Sequence, residues 1–157
     1  MTQPPNIWWA RPRKLCALER PGGGGRSHRR ARREAEIAWL REHGVRLVVS
    51  LMATRHNLPD YERAGLDHRH VPIPEATDAP AALEELLPLL RKELRTRGAV
   101  AVHGDYATDL AAAVCAAHLH EARGTDPADA LAAAAEAGLT ITPEATALVG
   151  ARMKMSA

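Results

Sequence analysis

Residues 99–114 combine an apolar run, a short polar turn and a helix start, in the order that builds an anion site. The letters AVAVH predict a buried strand, GDYATD a turn, and LAAAV the first turns of an Ala-rich helix. In this arrangement backbone N–H groups face into the turn and the helix dipole favours negative charge. The backbone alone could therefore hold an anion.

Two carboxylates in the same turn, Asp105 and Asp109, oppose that use. At an effective dielectric constant of about 20, two unit charges about 4 Å apart interact by roughly 4 kcal/mol. A helix dipole offers typically about 0.3–1 kcal/mol per favourable charge. Repulsion should prevail, so we do not expect phosphate to bind here.

Other chemistry could be assembled from nearby side chains. Thr108 could act as a nucleophile with His103 as its base, although no third orienting group is evident. A metal site is a second alternative, because His68 and His70 would share one strand face. Its ligands would come from His68, His70, His103, Asp105, Asp109 and Glu75. Exposed strand ends explain the same residues more simply, so we expect neither a metal nor a cofactor.

The elements that must position these residues alternate between strand and helix, which favours an α/β layer architecture. Strands are predicted at residues 7–9, 14–18, 45–51, 66–73 and 99–103. Helices are predicted at residues 31–43, 58–65 and 80–96, an Ala-rich helix follows Ala107 and extends to about Arg123, and two more helices open at Asp126-Pro127 and Thr142-Pro143. Pro88 lies inside the third of these helices and predicts a kink or a break.

A length of 157 residues predicts one domain, 1–157, with a flexible start at 1–6. The Gly/Arg-rich segment at residues 21–30 predicts a mobile surface loop, and no Gly-Lys-Ser/Thr follows it, which argues against a P-loop. Phe is absent, so Ala, Leu and Val must fill the core, and the Ala- and Arg-rich bias is typical of GC-rich, bacterial-type coding.

Net charge is only +2, yet five arginines are grouped near the Gly-rich loop. Such a cluster could bind an anion, a protein partner or nucleic acid, or could simply be a solvated loop and helix start. Interleaved aromatic residues are lacking, so stacking on single strands is not favoured. The cluster comprises Arg26, Arg29, Arg30, Arg32 and Arg33.

The remaining bulk features indicate a cytoplasmic protein. Cys16 and Cys115 lack metal-ligand spacing, which predicts buried free thiols in a reducing compartment. No apolar run has the length of a membrane span, and the first residues lack the pattern of a secretion signal.

Five segments resemble the small dual-specificity phosphatase family in order and spacing. They are NIWWARPRKLCALERPG, GVRLVVSL, AGLDHRHVPIPE, VAVHGDYATDLAAAV and LTITPEA, and together they extend over nearly the whole chain. The resemblance implies a dual-specificity/tyrosine phosphatase-like fold. In that fold a central, mostly parallel sheet of four to five strands is flanked by helices.

The resemblance also implies that the catalytic loop is degenerate. In that family the loop reads His-Cys, five residues, Arg, then Ser or Thr; the Cys is a thiolate nucleophile and the Arg forks onto phosphate oxygens. His103 matches the histidine, but Gly104 replaces the nucleophile and Leu110 the arginine. The intervening positions are Asp105, Tyr106, Ala107, Thr108 and Asp109. Ala111 replaces the hydroxyl residue, Ala145 a water-orienting glutamine, and Glu75 stands at the general-acid position.

These substitutions favour a catalytically inactive phosphatase homologue that acts by binding, with a protein partner expected at the former active-site mouth or at the arginine cluster. An enzyme remains the alternative, either through Thr108 or through a pocket reassigned to a cationic or neutral substrate by Asp105, Asp109 and Glu75. Nucleic-acid binding through the arginine cluster is the lesser alternative.

Overall fold

The computed structural model of the chain describes residues 3–105 and 109–156, except the side chains of Asp109 and of residues 152–156. Within these ranges five strands form one sheet in the order β1-β2-β5-β3-β4. Only β1 is antiparallel to its neighbour, which confirms the predicted, mostly parallel sheet. The strands are β1 (Trp8–Arg11), β2 (Leu15–Leu18), β3 (Val45–Ser50), β4 (Asp67–His70) and β5 (Ala99–His103).

Helices cover both faces of this sheet. On one face, α1 (Arg30–Glu42) and α2 (Leu58–Arg63) pack in a cluster that includes Val48 and Ala101. The opposite face packs in a larger cluster with Val49 and Val102. It is covered by α3 (Ala79–Glu93), α4 (Asp109–Arg123), α5 (Pro127–Glu136) and α6 (Pro143–Ser156). Alternate residues of β3 and β5 thus enter opposite cores, as expected for strands buried on both sides.

The Ala-rich start of α4 lies in the middle of the larger cluster. Residues 111–117 are all at most 1% exposed. Their small side chains let α4 pack closely against the sheet and against α3, α5 and α6, so the Ala-rich face serves core packing. Leu110, one residue earlier, is half-buried and packs at the edge of the same cluster.

The helix that contains Pro88 is not broken, because α3 extends through this residue, and Pro88 itself is exposed. One expectation about local structure needs correction. The Gly-rich segment was expected on the surface, but residues 21–24 are buried. Its glycines are required there: Gly22 has φ +98°, and a Cβ at this position would lie 2.4 Å from Cε1 of His28.

A buried carboxylate holds this turn. Glu36, only 1% exposed, accepts a hydrogen bond from the Gly22 amide at 2.8 Å and another from Arg32 Nε at 2.8 Å. The predicted flexible start lies only partly within the described chain, where Pro4 is buried. Both cysteines are buried free thiols, as predicted. Among the described residues, no helix has the length and apolar character needed to cross a membrane.

Candidate functional site

A pocket of about 290 Å³ opens where the parallel strands end. Its walls come from the residues after β3, the segment after β4, the turn after β5 and the first turn of α4. Five of the lining side chains are apolar, namely Leu51, Met52, Ile73, Pro74 and Leu110. The others are Ala53, Thr54, Gly104 and Asp105, so the carboxyl of Asp105 is the one ionisable group among the described lining residues.

Gly104 and Leu110 lie where the sequence places them, at the two ends of the turn between β5 and α4. Gly104 contributes backbone to the pocket and no reactive side chain. Leu110 contributes an isobutyl group. The residues between them that the sequence also singled out, Tyr106, Ala107 and Thr108, lie outside the described residues, as does the side chain of Asp109.

His103 ends β5 beneath the pocket and is completely buried. Its Nδ1 lies 2.7 Å from the carbonyl oxygen of Gly104, and its Nε2 lies 2.7 Å from the hydroxyl of Tyr61. A carbonyl only accepts, so Nδ1 carries the proton and Nε2 accepts from Tyr61. Burial lowers the pKa of His103 to about 4 and raises that of Tyr61. Both groups are therefore neutral at pH 7.

This geometry bears on the alternative in which His103 serves Thr108 as a base. Both ring nitrogens of His103 already have partners, and a base needs a free nitrogen within hydrogen-bond distance of the hydroxyl that it deprotonates. The pKa of about 4 also makes the imidazole a weak base. Nothing in the environment of His103 favours that alternative.

A chain of hydrogen bonds continues from Tyr61 to the amino-terminal part of the molecule. The amide nitrogen of Asn57 donates to the Tyr61 hydroxyl at 3.3 Å and to the carbonyl of Pro21 at 2.9 Å. Its amide oxygen accepts from Arg20 Nε at 2.9 Å. Asn57 is 2% exposed and has φ +73°, a left-handed conformation that Asn tolerates better than most residues. It joins the Gly-rich turn to the strand end that carries His103.

Asp105 is drawn toward this same turn. Its Oδ1 accepts a hydrogen bond from the Gly25 amide at 3.2 Å and lies 3.9 Å from Arg20 Nη1. Burial lowers the pKa of Arg20, and the carboxylate of Asp105 acts in the opposite direction. The negative charge that the sequence placed in the turn thus has a cationic partner, and that partner comes from a distant part of the chain.

Glu75, the predicted general-acid position, is exposed and immediately precedes a 3-10 turn. Its amide donates to Oδ2 of Asp78 at 3.1 Å. Its neighbour Pro74 lines the pocket, but Glu75 does not. Ala145, which replaces the family's glutamine, is fully buried in the first turn of α6.

The histidines of β4 do not gather a metal site. His70 donates from Nε2 to the carbonyl of Met52 at 2.7 Å, and His68 is half-buried two residues earlier. In the part of the chain that the structure describes, no three His, Cys, Asp or Glu side chains are arranged to hold a metal ion.

The arginine cluster is divided by the fold. Arg32 pairs with Glu19 and Glu36, both at 2.8 Å, and Arg33 pairs with Asp60 at 3.1 Å, so these two connect elements of the structure. Arg26, Arg29 and Arg30 are exposed, and Arg30 forms a surface pair with Glu34. Any ligand at this cluster would meet chiefly those three.

Sequence reasoning missed Arg20, Asn57 and Tyr61, which organise the base of the pocket. The partners of these three residues are distant in sequence, and no sequence motif indicates the contacts. One local signal was available for Asn57, because Asn before Leu-Pro-Asp is typical of a helix start, and α2 does begin at Leu58.

Solved structures of phosphatases share this architecture across nearly the whole chain. Human DUSP28 is 23% identical with a TM-score of 0.73, and the match covers 99% of this chain and 100% of that one. TpbA of P. aeruginosa is 19% identical with a TM-score of 0.73, covering 97% and 91%. Tk-PTP, in a structure of its active form, is 20% identical with a TM-score of 0.71, covering 90% and 92%.

No protein-family model matches the sequence, and no curated protein matches it at a significant level. At these identities the likeness establishes the fold. The chain has the dual-specificity/tyrosine phosphatase fold, as the sequence motifs led us to expect.

Proposed function

We propose that this phosphatase-fold chain is a non-catalytic binding protein whose pocket receives an apolar group of a protein partner. The observation that carries the proposal is the composition of the pocket wall, where Leu110 and other apolar side chains line a cavity beside Gly104. Apolar walls of this size suit a side chain or a small ring.

Chemistry supports the same proposal. Gly104 offers no nucleophile, and Leu110 offers no donor to phosphate oxygens. The carboxylate of Asp105 adds negative charge beside the place where a phosphate dianion would lie. The ion pair of Asp105 with Arg20 also argues against the alternative in which the pocket of an enzyme binds a cationic substrate. Such a substrate would compete with Arg20 for Asp105.

The test uses two aromatic probes, the neutral benzyl alcohol and the anionic phenyl phosphate, each titrated into the ¹⁵N-labelled protein. Benzyl alcohol should shift the amide resonances of residues 51–54, Ile73, Gly104 and Leu110. Phenyl phosphate should shift these amides less and should release no phenol above the buffer rate. Preference for the neutral ring reflects burial of apolar surface without an unpaired dianion.

A matched pair of variants assigns the binding to the pocket. Ala53→Trp places an indole in the pocket mouth and should abolish the shifts. Ala133→Trp, at an exposed position of α5, should leave them intact. Tight seating of phenyl phosphate at residues 104–110, or phenol release that Ala53→Trp abolishes, would overturn the proposal. Absence of any benzyl alcohol binding would overturn it equally.

A further inference from the structure

The end of the molecule opposite the pocket carries an unusual concentration of positive charge. Helix α4 starts at the pocket and runs back along the sheet; 15 residues at a rise of about 1.5 Å make it roughly 22 Å long. Strand β1 runs antiparallel to β2, and its last residue, Arg11, pairs with Leu15 at the start of β2. Arg11 and the last turn of α4 therefore meet at the far end.

Arg11 reaches this end of the molecule at the end of β1 and contacts α4 there. Its Nη1 donates to Nε2 of His118 at 3.4 Å, and His118 is only 2% exposed. The Nε of Arg11 is buried and has no acceptor. Within residues 3–105 and 109–156 no carboxylate forms an ion pair with Arg11, whereas Arg33 and Arg46, whose Nε atoms are also unsatisfied, pair with Asp60 and Glu93.

A second positive charge, that of Arg123, lies near this guanidinium. Burial lowers the pKa of Arg11, and Arg123 in the last turn of α4 lowers it further. Burial also lowers the pKa of His118, with Arg11, Arg123 and Arg91 acting in the same direction and Glu121 opposing them. Glu121 pairs with Arg91 at 3.4 Å. His118 thus lies in the field of three arginines, of which Arg91 already pairs with a carboxylate.

The adjacent turns add exposed positive charge. Lys14 donates from Nζ to the carbonyl of Thr96 at 3.1 Å, which brings the turn after β1 beside the turn after α3. That second turn carries Arg95 and Arg97, and the first carries Arg13, all exposed. With a net charge of +2 over the whole chain, this concentration is a property of one end and not of the composition.

A half-buried guanidinium such as that of Arg11, with one nitrogen unsatisfied and a second positive charge nearby, raises the free energy of the folded state unless an anion compensates it. The planar fork of arginine matches the oxygens of phosphate and sulfate. We infer that this end of the molecule is an oxyanion site for a phosphate or sulfate group, with Arg11 as its central ligand and Arg123 beside it. The inference is independent of the pocket and of the function proposed for it.

Such a group could come from a small phosphorylated molecule or from a phosphorylated protein segment. The experiment titrates inorganic phosphate, and separately a phosphoserine peptide with acidic flanks, into the labelled protein at constant ionic strength set with NaCl. Saturable shifts should appear at residues 10–14 and 118–124 and not at residues 103–105. Tighter binding of the peptide identifies a protein segment, since Arg95 and Arg97 would contact its flanks; equal binding identifies a small molecule.

Variants separate a built site from general charge. Arg11→Gln should weaken phosphate binding by about tenfold or more, because it removes the central charge-assisted contact. Arg13→Gln removes the same charge from the same turn and should change the affinity by less than about twofold. Arg123→Gln, at an exposed helix position, should weaken binding several-fold and serves as the test should Arg11→Gln not fold. The inference would be overturned if Arg13→Gln and Arg123→Gln weakened phosphate binding equally. It would also be overturned if the shifts were confined to residues 103–105 or if no saturable binding were observed.

Discussion

Hydrogen bonds run in one direction through four buried side chains beneath the pocket. Arg20 donates to Asn57, Asn57 to Tyr61, Tyr61 to His103, and His103 to the carbonyl of Gly104. Each donor has a definite acceptor, so the network fixes the tautomer of His103. A peptide N–H points opposite to its C=O, so the Asp105 amide points away from the imidazole. The network thus orients the first peptide of the turn.

His103 should make stability depend on pH. Its pKa is about 4 in the folded chain and near 6.5 when exposed, so the unfolded state binds more protons between these values. Stability should therefore fall as pH decreases from 6.5 to 4, by up to about 3 kcal/mol from this group. Urea unfolding between pH 7 and 4 measures the effect.

His103→Gln provides the comparison, because it removes this titration. The free energy of unfolding of the variant should fall less between pH 7 and 4 than that of the wild type. His28 and His118, whose pKa values burial also lowers, contribute with the same sign in both proteins and cancel in the comparison. If the free energies of unfolding of the wild type and the variant fell in parallel as pH decreases, the pKa of His103 would be the same in the folded and unfolded states.

Residues within one strand-turn-helix unit could be located from the sequence, because their positions depend only on spacing along the chain. Gly104 and Leu110 flank a turn between a strand and a helix, and that order fixes their location. Arg20 could not be placed this way, because it meets Asp105 only after β2 has paired with β5. The sequence therefore shows the carboxylate of Asp105 in the turn but not the arginine that compensates it.

At the scale of elements, α3 continues through Pro88 without a break. A proline in a helix interior removes one amide donor and crowds the preceding turn, at a cost of about 3 kcal/mol relative to Ala. Pro88 is exposed, so its replacement removes no core contact. Pro88→Ala should raise the free energy of unfolding by about 1–3 kcal/mol, measured by thermal and urea unfolding.

Pro80→Ala is the matched control in the same helix. Pro80 is also exposed but lies in the first turn, where the missing N–H has no intrahelical acceptor. Its replacement should change stability by less than about 0.5 kcal/mol. A Pro88 variant that is no more stable than the Pro80 variant would contradict this account of α3.

Element positions followed the sequence because their ends carry local signals. Gly44 and Gly98 mark the approach to β3 and β5, and Asp126 accepts a hydrogen bond from the Ala128 amide at the start of α5. The burial of the Gly-rich turn could not be predicted, because a glycine run has the same composition whether it is solvated or packed. What decides between the two is Glu36, a carboxylate in the next helix.

At the scale of the molecule, one sheet separates two apolar clusters. Trp8 belongs to the larger cluster and Trp39 to the smaller, and each is 8% exposed. Because β2, β3 and β5 contribute to both clusters, loss of one should expose the other. We expect the chain to unfold as one domain.

Two variants that retain a single tryptophan report on the two clusters separately. One retains Trp8, with Phe at positions 9 and 39; the other retains Trp39, with Phe at positions 8 and 9. Within each variant, the urea midpoint from fluorescence should coincide with that from far-UV circular dichroism. A fluorescence transition that precedes the loss of helix in either variant would show that its cluster unfolds independently.

The central position of β5 also constrains how the chain is made. Strand β2 has β5 as its parallel neighbour, with Leu15 opposite Val100, and β3 lies on the other side of β5. On the ribosome, the amino-terminal hairpin therefore emerges long before the strand that joins it to β3. Until residue 103 has left the exit tunnel the nascent chain exposes two separate, unfinished sheet edges, and chaperones would encounter it in that form.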